Sequence, residues 1–300
     1  MNWRRLKTFA RFLPLIPLGI VLWREKPWTL SIWGNVPYAV LATIALNFGV
    51  LLPLKAARWR VALQDPPPFW HVLAVTIEGL LANAAIGLGS GDVVRAARLK
   101  RAEPQMAVDY ASTWAERGAE FLALLLLVFA VGLTGSLGHF VWIGALAGIA
   151  GYVLALVLGK RIVPRLGRFP RLARALQAGL QASSKKSIAI MVLLSLAGWA
   201  CEVVMLLFFA WAFQLPISFH TALLTLVGIN AAIVIPATPG NFGTFEAGAT
   251  LAMVLCGVAR DTAVALALTY HLAHVVPVVL VATTVFLVRS RRSPAADPNR

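Results

Sequence analysis

Apolar positions in this chain gather into long unbroken runs, not into the alternating stripes of a water-exposed helix or strand. Runs of near-spanning length cover Phe9–Trp23, Val36–Leu54, Phe121–Leu137, Phe140–Leu158, Ile188–Phe213 and Ala263–Val288. An α-helix crosses the hydrocarbon of a bilayer with about 17–25 such residues. The pattern therefore predicts an all-α polytopic membrane protein with about six full spans. The first run is short but lacks a small-residue cleavage site, which predicts a retained helix and not a removed leader.

Composition strengthens this picture. Of 300 residues, 59% are hydrophobic, and the mean hydropathy is +0.79. A soluble domain of this length has too little interior to hide so much apolar surface. The formal charge of +15 would point to nucleic acid in a soluble protein. Here the lysines and arginines stand at the ends of apolar runs, where they set orientation and attract anionic headgroups. No basic and aromatic residues interleave along a soluble stretch, so nucleic acid is not an expected partner. Cys201 and Cys256 lie inside apolar runs without metal spacing and read as small core residues.

Charge placement then fixes an expected topology. Arg4, Arg5, Lys7 and Arg11, the group Lys55, Arg58 and Arg60, and the group Arg95, Arg98, Lys100 and Arg101 should all face the cytoplasm. So should the basic loop 159–187, which interleaves arginines with leucines as an amphipathic helix on an anionic leaflet would, or as a topological anchor would. The C-terminal arginines complete the set. Both termini are thus expected in the cytoplasm, with one transmembrane domain over 1–292 and a disordered tail over 293–300.

Two segments conflict with simple crossing. His71–Leu88 lies between two stretches that both belong to the cytoplasm, and Thr221–Ala237 with Phe245–Val258 must cross an even number of times. Re-entrant hairpins resolve both conflicts, with breaks at Gly89 and Gly91 in "GLGSGD" and at Pro239, Gly240 and Gly243 in "TPGNFG". Broken backbone at bilayer depth is tolerated only where it is buried in protein or lines a polar cavity. The tetrapeptide Asn-Ala-Ala-Ile precedes each break, at Asn83–Ile86 and Asn230–Ile233. Three predicted spans separate the copies, an odd number, so the halves would enter from opposite faces as an inverted repeat. Paired interrupted segments of that kind point to a transport site near the midplane.

Candidate chemistry clusters at these breaks. Asp92 and Glu246 fall at the start of the returning half-helices, where an acid caps the helix or marks a functional cavity. Arg95 shares a face with Asp92 and can pair with it or receive a lipid phosphate. "WAERGAEF" places Glu116, Arg117 and Glu120 at the start of a span, either as a solvated entrance or as the mouth of a cavity in which Arg117 binds phosphate. Glu78 and Glu202 lie deeper and must be paired across helices or protonated. His271 and His274 share a face of the last span; hydrogen bonds across helices are the expectation, since no third metal ligand is specified. Asn83 and Asn230 are further candidates. The chain shows no P-loop, nucleophile elbow or metal framework, so neither a cofactor nor a metal is expected, and no catalytic residue is assigned.

In order along the chain, "GSGDVVRAARL", "AERGAEFLALLLL" and "PGNFGTFEAG" resemble the lysylphosphatidylglycerol synthase transmembrane-region family, flippase-like membrane proteins found alone or fused to a cytosolic aminoacyl-transferase domain. The positions that match are Gly91, Asp92, Arg95, Glu116, Arg117, Pro239, Gly240, Gly243 and Glu246. Ser90 and Asn241 depart from the family's usual basic residue and double glycine. The fused members make and flip an aminoacylated phospholipid; this chain stops soon after its last run, so the resemblance implies lipid handling without aminoacyl transfer. Stand-alone relatives encoded beside glycosyltransferase or hopanoid pathways extend the implied substrates to glycolipids, polyprenyl-linked lipids and hopanoids. The expected function is translocation of an anionic phospholipid or lipid-linked headgroup. The alternative is a non-transporting partner that presents lipid to a separate lipid-modifying enzyme. An intramembrane enzyme using its carboxylates is a third reading, without a recognisable nucleophile.

Overall fold

The computed structural model describes residues 23–25, 33–63, 65–86, 89–99, 105–132, 139–162, 177, 179–180, 184–233 and 238–292, and all regular structure among them is helical. The predicted first span up to residue 22, most of the basic loop 159–187 and the tail 293–300 lie outside the described residues. The first continuous helix joins α1 (Val36–Leu46) to α2 (Leu52–Ala62) through one π-helical turn, Asn47–Leu51. Pro53 explains that turn. Its ring would strike the carbonyl four residues back, and it has no N–H to give. The backbone widens instead, and Leu52 N–H reaches five residues back to Asn47 O. The helix thus runs beyond the expected end at Leu54, carrying Lys55, Arg58 and Arg60 as helical residues.

Two hairpins interrupt the regular helices. In the first, α3 (Phe69–Ile86) folds back onto α4 (Ser90–Arg98) through Gly89, whose φ of +84° suits glycine. Ser90 Oγ donates to Ala82 O at 2.8 Å, and Asn83 Oδ1 accepts from Gly91 N–H at 2.7 Å. Groups that end a helix away from water are thereby satisfied inside the hairpin. In the second, α8 (Phe219–Ile233) packs on α9 (Thr244–Leu255) across a short 3₁₀ turn, Pro239–Asn241. Thr244 Oγ1 donates to Asn241 O at 3.0 Å, and Thr238 Oγ1 donates to Phe242 O.

The arms of each hairpin meet at a glycine pair. A Cβ on Gly91 would collide with the Gly79 carbonyl, and one on Gly248 with the Gly228 carbonyl. The repeated Asn-Ala-Ala-Ile ends the first arm in both, but its asparagines differ: Asn83 bonds across its hairpin, whereas Asn230 Nδ2 donates within its own helix to Leu226 O at 2.8 Å. The turn of the second hairpin rests on α3, with Gly240 directed at the Ala84 carbonyl.

The remaining helices wall these hairpins. α5 (Gln105–Gly132) packs on α6 (His139–Ile162), where Gly118 admits the Tyr152 ring. α7 (Lys185–Ala212) is capped by Ser184, whose Oγ accepts from Ser187 N–H at 3.1 Å. α10 (Arg260–Arg292) continues through Pro277. Phe209, Phe213, Leu226, Met253, Leu266 and Tyr270 knit α7, α8, α9 and α10 into the largest buried cluster. Leu41, Leu154, Leu193, Leu255 and Leu280 instead face outward, as they do when lipid is the solvent.

Among the described residues, four helices are long and apolar enough to cross a membrane: Trp33–Ala62, Phe69–Ile86, Lys185–Ala212 and Arg260–Val288. The chain is therefore a membrane-embedded, multi-pass, all-α protein. Another boundary differs from the sequence expectation. The helix expected from Phe121 begins at Gln105, because Asp109, Ser112, Thr113 and Glu116 turn inward and are buried. Glu116, Arg117 and Glu120 consequently sit mid-helix.

Gly91→Val and Gly248→Val should each lower the thermal unfolding midpoint in detergent, at an overpacking cost of about 1–3 kcal/mol. Gly151→Ala, facing open space, should not lower it. Equal midpoints for Gly91→Val and Gly151→Ala would refute close packing of the first hairpin.

Candidate functional site

Six charged side chains from α2, α4 and α5 form one alternating cluster. Glu116, only 2% exposed, lies between two arginines. Its Oε1 accepts from Arg58 Nε at 3.1 Å, and its Oε2 accepts from Arg95 Nη2 at 2.5 Å. Arg58 Nη2 also reaches Glu120 Oε2 at 3.1 Å. Arg117 closes the set with two bonds to Asp92, at 3.2 and 3.4 Å, and a 3.7 Å approach to Glu120. Arg95 Nη1 lies 3.4 Å from Asp92 Oδ1. Arginines and carboxylates thus balance, which buried ions require, since an uncompensated charge there is strongly destabilising.

Aromatic and hydroxyl groups complete the cluster. The Arg95 guanidinium lies 4.1 Å from the centre of the Trp59 ring, a stacking geometry that a planar cation favours. Trp59 Nε1 donates to Ser112 Oγ at 3.0 Å, and Arg58 Nη1 donates to Ser195 Oγ on α7 at 3.1 Å. Glu78 belongs elsewhere: Arg98 Nε lies 2.8 Å from its Oε2, and the Arg98 guanidinium stacks on Phe286 of α10.

A second group forms where α9 meets α10. Glu246, in the first turn of α9, accepts from Gly243 N–H at 2.7 Å, and its other oxygen lies 2.8 Å from His271 Nδ1. This carboxylate holds Gly243 at its φ of +91° and ties the turn to α10. Phe245 stacks on the His271 ring at 4.1 Å between centres and 11° between planes. One residue earlier on α10, Tyr270 Oη donates to Glu202 O at 3.2 Å and lies 3.3 Å from Glu202 Oε2.

Between these groups lies a cavity of about 240 Å³ whose walls come from α2, α5, α7, α8 and α9. Lys55, Arg58 and Arg117 face it against Glu120 and Glu202, with Ser195, Asn230 and Phe245 completing its polar and aromatic edge. That volume falls below the about 300–1,000 Å³ typical of pockets for whole drug-sized ligands.

Of the residues singled out from sequence, the structure brings Asp92, Arg95, Glu116 and Arg117 into one cluster, and Glu246 with His271 into another. Arg117, Glu202 and Asn230 line the cavity itself. Gly89, Gly240 and Gly243 take positive φ at the breaks, while Gly91 serves close packing. His274 bonds within its own helix, its Nδ1 3.1 Å from Tyr270 O. Sequence reasoning missed Lys55, Arg58, Trp59 and Ser195. Lys55 and Arg58 read as orientation signals after an apolar run. Their i, i+3 spacing past Pro53 was the available sign that the helix continued with both on one face.

The family model described as lysylphosphatidylglycerol synthase TM region matches residues 15–282. The chain belongs to this family. The match takes in both hairpins, the charged cluster and the cavity. No curated protein compared with the chain matches it, and neither does any solved structure.

Within this family member, Glu116→Gln should strip the charge that compensates Arg58 and Arg95. It should cost about 3–5 kcal/mol, as broken buried pairs do, read as a lowered thermal midpoint in detergent. Arg117→Gln, at a half-exposed position, should cost much less. Similar losses for both variants would contradict the central role of Glu116.

Proposed function

We propose that this chain is a lipid translocase of the bacterial inner membrane, moving an anionic phospholipid or lipid-linked headgroup through the charged cavity while the acyl chains stay in lipid. The observation that carries the reading is the cavity's lining. Lys55, Arg58 and Arg117 outnumber Glu120 and Glu202 there, within a molecule whose outer surface is apolar. Each of these cations is paired with an acid, yet Lys55 and Arg117 stay accessible enough to meet a polar passenger.

Roles follow from geometry. Arg58 is held by Glu116, Glu120 and Ser195, so it supplies fixed positive potential. Arg117 and Lys55 are the more exposed cations, with side chains 47% and 31% accessible, and can turn toward a phosphate. The two hairpins provide the movable walls: α9 carries Phe245 into the cavity, and α4 carries Asp92 against Arg117. In this reading both termini face the cytoplasm, no bond is made or broken, and no cofactor takes part.

A second reading draws on the family's description as the membrane region of a synthase. The chain would then present lipid to a separate lipid-modifying enzyme, such as a glycosyltransferase, without moving it across.

Proteoliposomes containing headgroup-varied fluorescent phospholipids separate the two readings. Wild type should move anionic lipids unaided. Lys55→Gln combined with Arg117→Gln should slow that movement about tenfold or more, the factor equivalent to about 1.4 kcal/mol of lost headgroup interaction. A folded wild-type protein that moves no lipid would overturn translocation in favour of the presenting role.

A further inference from the structure

Glu202 stands at the cavity wall between two nitrogen bases. Its Oε1 lies 4.0 Å from Lys55 Nζ, and its Oε2 lies 3.9 Å from His274 Nε2. The tautomer of His274 follows from its other nitrogen. Nδ1 is 3.1 Å from the Tyr270 carbonyl oxygen, which can only accept, so Nδ1 carries a hydrogen. In the neutral ring Nε2 is therefore the lone-pair nitrogen. It is buried and, among the described residues, has no hydrogen-bond partner. A basic nitrogen held without a donor, facing a carboxylate, is prepared to receive one proton.

We propose that His274 Nε2 is a proton-binding site, and that its protonation draws Glu202 from Lys55 to the imidazolium, releasing Lys55 to an anionic headgroup in the cavity. The proposal rests on the reading of that cavity as a headgroup site and supplies the coupling which that reading leaves open. The proton comes from water, resides on Nε2 as an N–H donated to Glu202 Oε2, and returns to water when the headgroup leaves. Nothing else changes covalently.

The charged and titratable groups facing the ring are Glu202 from α7, Lys55 from α2, and Tyr270 and His271 from α10. Glu246 of α9 reaches it only through His271. The negative charge of Glu202 attracts a proton at the ring, whereas the positive charge of Lys55, held by the same carboxylate, repels it. A bound anion that neutralises Lys55 removes that opposing charge. Linkage then works in both directions, so the proton strengthens headgroup binding as much as the headgroup strengthens proton binding. Headgroup and proton would travel together, and a proton gradient would drive the lipid.

Calorimetric titration of the full-length protein in detergent with dioctanoylphosphatidylglycerol tests this, because the probe's phosphodiester does not ionise where histidine does. Between about pH 8 and pH 5, wild type should bind at least about fivefold more tightly at the acidic end. Paired buffers of different ionisation heat should show net proton uptake on binding. His274→Gln should abolish both the pH dependence and the uptake, while His220→Gln should keep them. Glu202→Gln, which leaves Lys55 released at every pH, should bind tightly and without pH dependence; it also decides the matter if His274→Gln fails to fold. Binding by wild type that is indifferent to pH, or uptake that persists in His274→Gln, would overturn the proton site alone. A folded wild type that binds no probe at any pH would overturn the cavity reading itself.

Discussion

A carboxylate held between two guanidinium groups is the contact on which the first half of the molecule depends. Glu116 draws Arg58 of α2 and Arg95 of α4 onto α5, and Arg58 carries the connection on to Ser195 of α7. The cost of placing so many ions away from water is met by alternation: each cation touches an acid, and each acid touches at least one cation. Such a cluster contributes less net stability than its short distances suggest, since desolvation offsets much of the attraction. Its larger effect is on geometry. Apolar helices can slide and rotate past one another at little cost, whereas charges that must meet in pairs permit few arrangements.

Backbone chemistry sets the complementary constraint. A chain that interrupts its helices in a membrane has to satisfy the freed N–H and C=O groups from within. Both hairpins do so, by different means. The first uses side chains at its neck, Ser90 and Asn83, while the second winds a 3₁₀ turn and closes it with Thr238, Thr244 and Glu246. In the first hairpin the glycine pair brings the arms close enough for Ser90 and Asn83 to reach across. Where the turn of the second hairpin rests against α3, each interruption shelters the other, and polar groups of both halves gather around one cavity.

Much of this was legible from the order of residues because bilayer physics writes large signals. Long apolar runs, basic flanks and glycine-proline breaks gave the helical class, the two hairpins and the acids at the returning half-helices. What stayed hidden depended on facing. Arg58 and Lys55 carry the same chemistry as ordinary orientation charges, and only their placement on a continuing helix turns them inward. The partner of Glu78 could not be named because Arg98, its counter-ion, stood among residues read as a cytoplasmic flank. The start of α5 was misplaced for a related reason: Asp109, Ser112 and Thr113 look like water-facing residues in sequence, yet they line protein. Polar residues in a membrane chain report that a polar neighbour exists without saying on which helix it lies.

The widened turn at Asn47–Leu51 acts as a phase corrector. Ala39, Thr43, Asn47 and Leu51 are all buried at intervals of four residues. In a regular α-helix such a stripe over-rotates by about 40° at each step, and by about 120° after three. The extra residue of the π turn takes up nearly all of that drift, so the inward face of α1 continues as the inward face of α2. Pro53, which has no charge, thereby determines which way Lys55 and Arg58 point. Restoring ordinary helical gearing there would swing both cations toward the lipid with no charged residue altered.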